Sequence, residues 1–197
     1  MADRPRTQYY CAATLDGFIA DADDGLDWLT GYEGSFEGEG LEPGPMGDGG
    51  SYTRFYDGVG ALVSGSATYE FVLEHTGGAP WPYAGKPYWV LSSRDLVLPE
   101  DQAADVRVVE ADPTELHAEM LAAADGRNLW IVGGGGVASE FAEAGLLDEL
   151  LLTVVPVVLG QGKPLFGRPL AGPPMSLQGT QVYGNGMVEL RYTVPRA

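Results

Sequence analysis

Three short stretches carry the residue types and spacing of an anion-binding chemistry. Gly133, Gly134, Gly135 and Gly136, then Val137 and Ala138, follow the apolar run Leu129-Trp130-Ile131-Val132 and precede a helical pattern. Glycine loses more backbone freedom on folding than any other residue, and a strand-to-helix turn needs one or two, not four. Backbone N–H groups at a helix start bind anions, and missing side chains let a phosphate come close. A second strand ends in Gly65-Ser66-Ala67-Thr68, where Ser66 and Thr68 are either helix caps or phosphate donors. A third ends in Ser92-Ser93-Arg94, two hydroxyls and a guanidinium. Together these turns point to an extended polyanion such as a dinucleotide phosphate.

Gly133-x-Gly135-x-x-Ala138 fits the loose glycine pattern of a doubly wound dinucleotide fold. That fold also wants an acid about 20 residues on, at the end of the next strand, to hold a ribose. Here the next strand ends without one, and Asp148 and Glu149 stand at its beginning. The local anion-binding physics survives; the doubly wound reading weakens. Other chemistries lack their residues. His75 and His117 are far apart and have no cysteine partner, so no metal site is expected. No Gly-x-Ser-x-Gly elbow occurs, and Pro164 stands where a phosphate loop would need a hydroxyl. A net charge of −17, with 11 basic residues scattered along 197, argues against nucleic-acid and anionic-membrane partners. The lone Cys11, the lack of an 18-residue apolar run and the lack of a signal-peptide pattern lead to the expectation of a cytoplasmic protein.

The turns need strands that end together. Residues 9–14, 60–65, 86–93, 105–110 and 129–132 read as strands, with helices after Gly65 and after the glycine run. Asp112, Pro113 and Glu115 make a capping box with proline at the first helical position, and Leu116, Met120 and Leu121 form one apolar stripe. Residues 148–160 read as one apolar strand, with Pro156 at a bulge or edge. Residues 176–194 read as a hairpin around Asn185-Gly186. The polar stretch 1–6 reads as a tail. Residues 31–50, with eight glycines, read as a long loop, either a functional lid or simply mobile. The sum is a single α/β domain over 1–197 with a mixed sheet.

ATLDGFIA (13–20), GSATYE (65–70), VLSSR (90–94), IVGGGGVASEF (131–141) and DELLLTVVPVVLGQGKPLF (148–166) occur in an order that resembles the dihydrofolate reductase-like superfamily. The nearest branch is the one containing the reductase domain of bacterial riboflavin biosynthesis. The resemblance runs from the first strand to the final hairpin. It implies a single-domain, three-layer α/β fold with a mixed, mostly parallel sheet of about eight strands, flanking helices and NADPH across the strand ends. It makes Gly133 to Gly136 and Val137 the pyrophosphate turn, Gly65, Ser66 and Thr68 a second phosphate site, and Ser92, Ser93 and Arg94 the adenosine-phosphate pocket. It sets Ala13, Ile19 and Ala20 around the nicotinamide, and Thr14 and Asp16 near the substrate. Thr153 matches a threonine beside the substrate in dihydrofolate reductases.

The chain departs from that pattern. Ser66 stands where an arginine often serves the 2′-phosphate, with Arg94 as the available replacement. Lys86 replaces an arginine that grips the folate tail, and Ala138 an aromatic residue. The implied activity is hydride transfer from the nicotinamide to a small pteridine- or ribosylaminopyrimidine-like heterocycle, as in dihydrofolate reductase or 5-amino-6-(5-phosphoribosylamino)uracil reductase. Its proton comes from water or from an acid such as Glu33 or Asp16. For Asp16 an ordinary Asp-Gly turn is the competing role. Trp28 and Phe36 either cover the substrate or anchor the 31–50 loop. A nucleotide-binding protein of the same fold with little turnover is the alternative. Family members often form homodimers through sheet edges, which the apolar 150–159 strand makes plausible.

Overall fold

A strand reading Leu-Trp-Ile-Val has no polar face to turn outward, so it must be covered on both sides. In the computed structural model, which describes residues 4–36, 38, 40–46 and 50–196, that strand, β6 (Asn128–Val132), sits inside an eight-stranded sheet. The other strands of the sheet are β1 (Thr7–Thr14), β3 (Val59–Gly65), β4 (Pro87–Leu91), β5 (Asp105–Val109), β7 (Glu149–Val155), β9 (Ser176–Val182) and β10 (Val188–Thr193). Their order is β5-β4-β3-β6-β1-β7-β10-β9, parallel from β5 to β7 and antiparallel at β10 and β9. A small ribbon pairs β2 (Phe18–Ala20) with β8 (Lys163–Pro164).

Side-chain alternation splits the core into two layers. Tyr9, Val63, Leu129, Ile131 and Leu150 face Met120 and Ala124, from α4 (Pro113–Ala123) and its C-cap, and Ala138 and Phe141 of α5 (Gly135–Glu143). Tyr10, Leu62, Trp130 and Leu151 face α2 (Ser51–Asp57) and α3 (Ser66–His75). That second layer is aromatic: Tyr52, Phe55, Tyr56 and Tyr83 all meet Trp130 edge to face. The short helix α1 (Asp27–Thr30) leads into the glycine-rich loop. Among the described residues no helix is long and apolar enough to cross a membrane.

The α/β class, the sheet of about eight strands and the C-terminal hairpin are as expected. Three details differ. α2 was missed because its apolar triad, Tyr52, Phe55 and Tyr56, directly follows a glycine-rich stretch and spans one turn. Pro156 does not sit in a bulge, because β7 stops at Val155. With β1 on one side and β10 on the other, every N–H of β7 has a neighbour to serve, and proline has none to give. For the same reason the 150–159 stretch is not a sheet edge on which a homodimer could form; the edges are β5 and β9. The glycine-rich loop is pinned where it is described: Phe36 N donates to Gly184 O (2.7 Å), Gly184 N to Glu42 O (2.7 Å) and Asn185 N to Pro43 O (3.0 Å).

The end of the sheet away from the glycine turns is held by charge. Asp148 pairs with Arg4 and Arg196, which ties down part of the segment expected to be a tail. Glu149, its side chain 4% exposed, pairs with Arg6 and Arg191 and accepts from Gln8 Nε2 at 2.7 Å. Burial alone would raise its pKa; Gln8 and the two guanidiniums outweigh that and hold it below the usual carboxylate range. The folded value lies below the unfolded one, so the contribution is full above the ordinary carboxylate pKa and fades as pH falls through the folded value. Both arginines are partly exposed, so Glu149→Gln should cost about 2 kcal/mol at neutral pH, between the exposed and buried ion-pair limits. In urea titrations of both proteins the gap should narrow as pH falls below the ordinary carboxylate range. A gap independent of pH would show that the charge is not what stabilises this end.

Candidate functional site

β3 and β6 are parallel neighbours, and each runs into a helix almost without a spacer. Gly65 is the last residue of β3 and the N-cap of α3; Gly134 is the N-cap of α5, with two residues between the end of β6 and the helix. The two helices leave to opposite faces of the sheet, which opens a crevice at the strand ends where ligands of α/β folds bind. Neither N-cap offers a side chain, so the first-turn N–H groups of both helices have no side-chain cap. α4 shows the contrast. There Glu115 reaches back to Asp112 N at 3.3 Å and completes the expected capping box.

The four glycines have separate causes. Gly133 (φ +58°) and Gly134 (φ +77°) make a left-handed turn against Thr68 of α3. At Gly135 a Cβ would lie 2.4 Å from Pro164 O, so the fold forbids a side chain there. Gly136 is exposed, its φ is not positive and nothing lies within 4 Å of where its Cβ would be. The fold does not require glycine at 136; the open space beside a helix start is what its absent side chain provides. Val137 packs against Gly65, at 3.3 Å from the position of its Cβ, and bridges the two turns. Ser66 and Thr68 are half-buried in the first turn of α3. The structure brings these residues together at the ends of β3 and β6.

One strand further out, Ser92 Oγ accepts from Arg94 N (3.0 Å), and Ser93 and Arg94 are exposed. Arg94 is not idle: its guanidinium pairs with Glu70 of α3 at 2.6 Å. Lys86 is turned inward, donating to Val59 O (2.5 Å) over the Tyr56 ring, so it grips no substrate tail. Ala138 is fully buried on the inner face of α5.

At the end of β1, Ala13 is buried and Ile19 and Ala20 lie in the β2–β8 ribbon. Thr14 and Asp16 are spent on the local turn. Thr14 Oγ1 donates to Asp16 (2.6 Å) and accepts from Phe18 N (3.0 Å), while the Asp16 carboxylate takes Gly160 N (2.7 Å) and Leu159 N (3.3 Å). The Thr14 hydrogen bond, with those backbone N–H groups, holds the Asp16 carboxyl below its ordinary pKa. A proton donor needs the reverse, so Asp16 is corrected to a turn clamp. Glu33 is exposed on the loop. Phe36 is 53% exposed. Trp28 packs on Val155, Tyr183 and Met187, with its indole N–H buried and unpartnered.

Thr153 is 2% exposed, and around it lies a cluster that the sequence did not disclose. Glu189, opposite Thr153 in the β7–β10 ladder, accepts from Tyr10 OH (3.1 Å) and Ser51 Oγ (2.8 Å), while Tyr183 OH, 3.2 Å from the same oxygen, makes its shorter hydrogen bond to Ser51 Oγ (2.6 Å). Burial and the Glu189 charge raise the Tyr10 phenol pKa, and burial takes Tyr183 to about 12. In Val-Glu-Leu-Arg-Tyr, strand alternation makes Glu189 look like a solvent-facing residue.

The glycine analysis yields a test that needs no ligand. Gly135→Ala should lower stability by about 1–3 kcal/mol, because a methyl group meets backbone that has little room to give. Gly136→Ala should be neutral or stabilising by up to about 1 kcal/mol in the helix. Urea midpoints compare them; equal effects would mean that the 164–165 backbone yields freely.

Comparison with known proteins agrees with this arrangement. Residues 84–189 match the RibD C-terminal domain family. The protein YwjB of Bacillus subtilis (strain 168), itself uncharacterised, is 32% identical over 95% of this chain and 97% of its own length. A solved structure from Shewanella sp. PV-4, assigned to riboflavin biosynthesis, superposes with TM-score 0.76 at 27% identity, covering 97% of this chain and 99% of that one. Dihydrofolate reductase from Enterococcus faecalis, solved with NADP(H), shares the fold at TM-score 0.56 and 20% identity, over 95% of each chain. A dihydrofolate reductase-like sheet with paired helix starts at its strand ends, and a family match over more than half its length, make this chain a member of the RibD C-terminal domain family.

Proposed function

We propose that this protein is an NAD(P)H-dependent reductase, with NADPH as cofactor and a pteridine- or ribosylaminopyrimidine-like heterocycle as substrate. The observation that carries the reading is the pair of uncapped helices, α3 and α5, starting side by side at the ends of adjacent strands. Family membership makes reductase chemistry the natural use of that pair, and the same fold carries NADP(H) in the Enterococcus enzyme. The nicotinamide, when bound, supplies the hydride. The protein's part is binding and orientation. First-turn N–H groups of α3 and α5 hold the pyrophosphate, Gly136 leaves it room, and Ser92, Ser93 and Arg94 take the adenosine-side phosphate. The loop fastened to the hairpin keeps water from the strand ends.

Glu70 bears on the choice of nucleotide. Arg94 must release it to grip a 2′-phosphate, which leaves a carboxylate beside a dianion. The alternative, a nucleotide-binding protein with little turnover, draws on the turn-bound Asp16, whose carboxyl is held below its ordinary pKa by Thr14 and backbone N–H groups.

Titration with NADPH and NADH, read by energy transfer from the four tryptophans, tests the reading directly. Gly136→Asp should weaken NADPH by at least about tenfold through charge repulsion at the helix start, without loss of thermal stability. Glu70→Gln should tighten NADPH by about three- to tenfold and leave NADH unchanged. No binding of either nucleotide at millimolar concentration would overturn the proposal. Binding without NADPH oxidation across a panel of pterins and ribosylaminopyrimidines would favour the alternative.

A further inference from the structure

Four of the eleven basic residues converge at the end of the sheet where β1 and β7 begin. Arg4 and Arg6 precede β1, Arg191 lies in β10 and Arg196 follows it. With Asp148 and Glu149 they line an open concavity of about 830 Å³. β6, five residues and roughly 16 Å long, separates this end from the glycine turns. The concavity is therefore no part of the crevice at the strand ends.

Ion pairing here is unbalanced. Arg6 answers Glu149, which leaves Arg4, Arg191 and Arg196 with the one carboxylate of Asp148. Arg191 is a second guanidinium on Glu149, at 2.8 Å, and Arg4 and Arg196 both end on Asp148 Oδ1, at 2.6 and 3.0 Å. Two like charges are thus held at one oxygen. Neutral donors add to the carboxylates' load: Asp148 Oδ2 accepts from Thr7 N (3.0 Å) and Glu149 Oε2 from Gln8 Nε2 (2.7 Å). Arg4, Arg191 and Arg196 each engage through Nη2 alone among the described residues, so most of each five-donor fork meets no protein acceptor. Their side chains are 63%, 45% and 56% exposed, open to a ligand. One guanidinium per carboxylate would close the termini. In a chain of net charge −17, two more gathered at the same place indicate an anion to meet.

We propose that this concavity binds a phosphate group, free or as a phosphomonoester, between the guanidiniums of Arg4, Arg191 and Arg196. A phosphomonoester carries a charge of about −1.5 to −2 at neutral pH, which matches the excess of guanidiniums over carboxylates. Its oxygens point in tetrahedral directions and so accept from forks that converge from both termini and from β10. A planar carboxylate offers its two oxygens in one plane only. The bound anion ties the segment before β1 to β10 and to the segment after it, and it stabilises the fold by mass action. The site is independent of the reductase reading, and no atom of it takes part in that chemistry.

The test is calorimetric titration of the full chain with inorganic phosphate, glucose 6-phosphate and acetate at one ionic strength. The wild type should bind both phosphates and discriminate against acetate. Equal affinity for the two identifies the bare anion as occupant; tighter glucose 6-phosphate identifies a phosphomonoester. The double variant Arg4→Gln, Arg196→Gln should lose about tenfold or more in phosphate affinity, the scale of a charge-assisted hydrogen bond. His117 gives a second reading on the wild type alone. Its Nε2 lies 2.7 Å from Thr7 Oγ1; burial lowers its pKa, Asp148 raises it, and Arg196 and Arg4 lower it further. A bound dianion offsets those arginines, so saturating phosphate should raise the His117 pKa in an NMR titration, with His75 on α3 as internal control. Phosphate binding within about threefold of wild type in the double variant would overturn the assignment. So would a wild type that binds no phosphate, or that binds acetate equally well. Where the double variant does not fold, a His117 that ignores phosphate would overturn it alone.

Discussion

The structure turns on two joints that have almost no slack. β3 passes into α3 at Gly65, and β6 reaches α5 across Gly133 and Gly134. Because β3 and β6 are hydrogen-bonded neighbours running the same way, the joints lie next to each other whatever the rest of the chain does. Because the helices depart to opposite faces, they do not fill each other's approach. Everything else makes the joints rigid. The Pro164–Leu165 backbone presses on Gly135, the β2–β8 ribbon holds that backbone, and Asp16 ties the β1 turn to Gly160 in the loop before β8. An anion site made of backbone dipoles needs this rigidity, since N–H groups that must reorganise on binding contribute less.

How far the sequence discloses this depends on range. The glycine run, the capping box of α4 and the Asn185-Gly186 turn are local signals, decided by the conformations that a few neighbouring residues permit. They appear in the structure where the sequence places them. What Gly135 and Gly136 do could not be told apart. The difference lies in Pro164 O, which is distant in sequence and adjacent only after folding. Thr14 and Asp16 show the same limit: their types suit chemistry, but Gly160 and Leu159 arrive to occupy them. Glu189 is the extreme case. Its partners come from β1, α2 and the hairpin turn, and alternation along its own strand marks it as an ordinary exposed position.

A charge of −17 makes the proposed nucleotide binding a problem of placement rather than of field. Nine of the eleven cations are engaged in ion pairs. Four of them sit at the end of the sheet away from the glycine turns, where they close the termini onto Asp148 and Glu149. At the crevice itself, positive potential comes from helix starts, supplemented by Arg94, which is shared with Glu70. Such a site has little long-range pull on an anion, and its selectivity comes from shape and from N–H directions.

The two glutamates flanking β7 and β10 show how the same residue type is put to opposite uses. Glu149 is given two guanidiniums and an amide, and its charge is neutralised where strands and termini must be joined. Glu189 is given hydroxyls and, among the described residues, no cation, although Arg191 stands two residues away on its own strand. Hydroxyls orient a carboxylate without cancelling its charge, whereas a guanidinium does both. A carboxylate that only had to be buried would be better served by Arg191. Sending that arginine to the far end while gathering tyrosine and serine around Glu189 leaves this carboxylate oriented by hydroxyls rather than neutralised by a guanidinium.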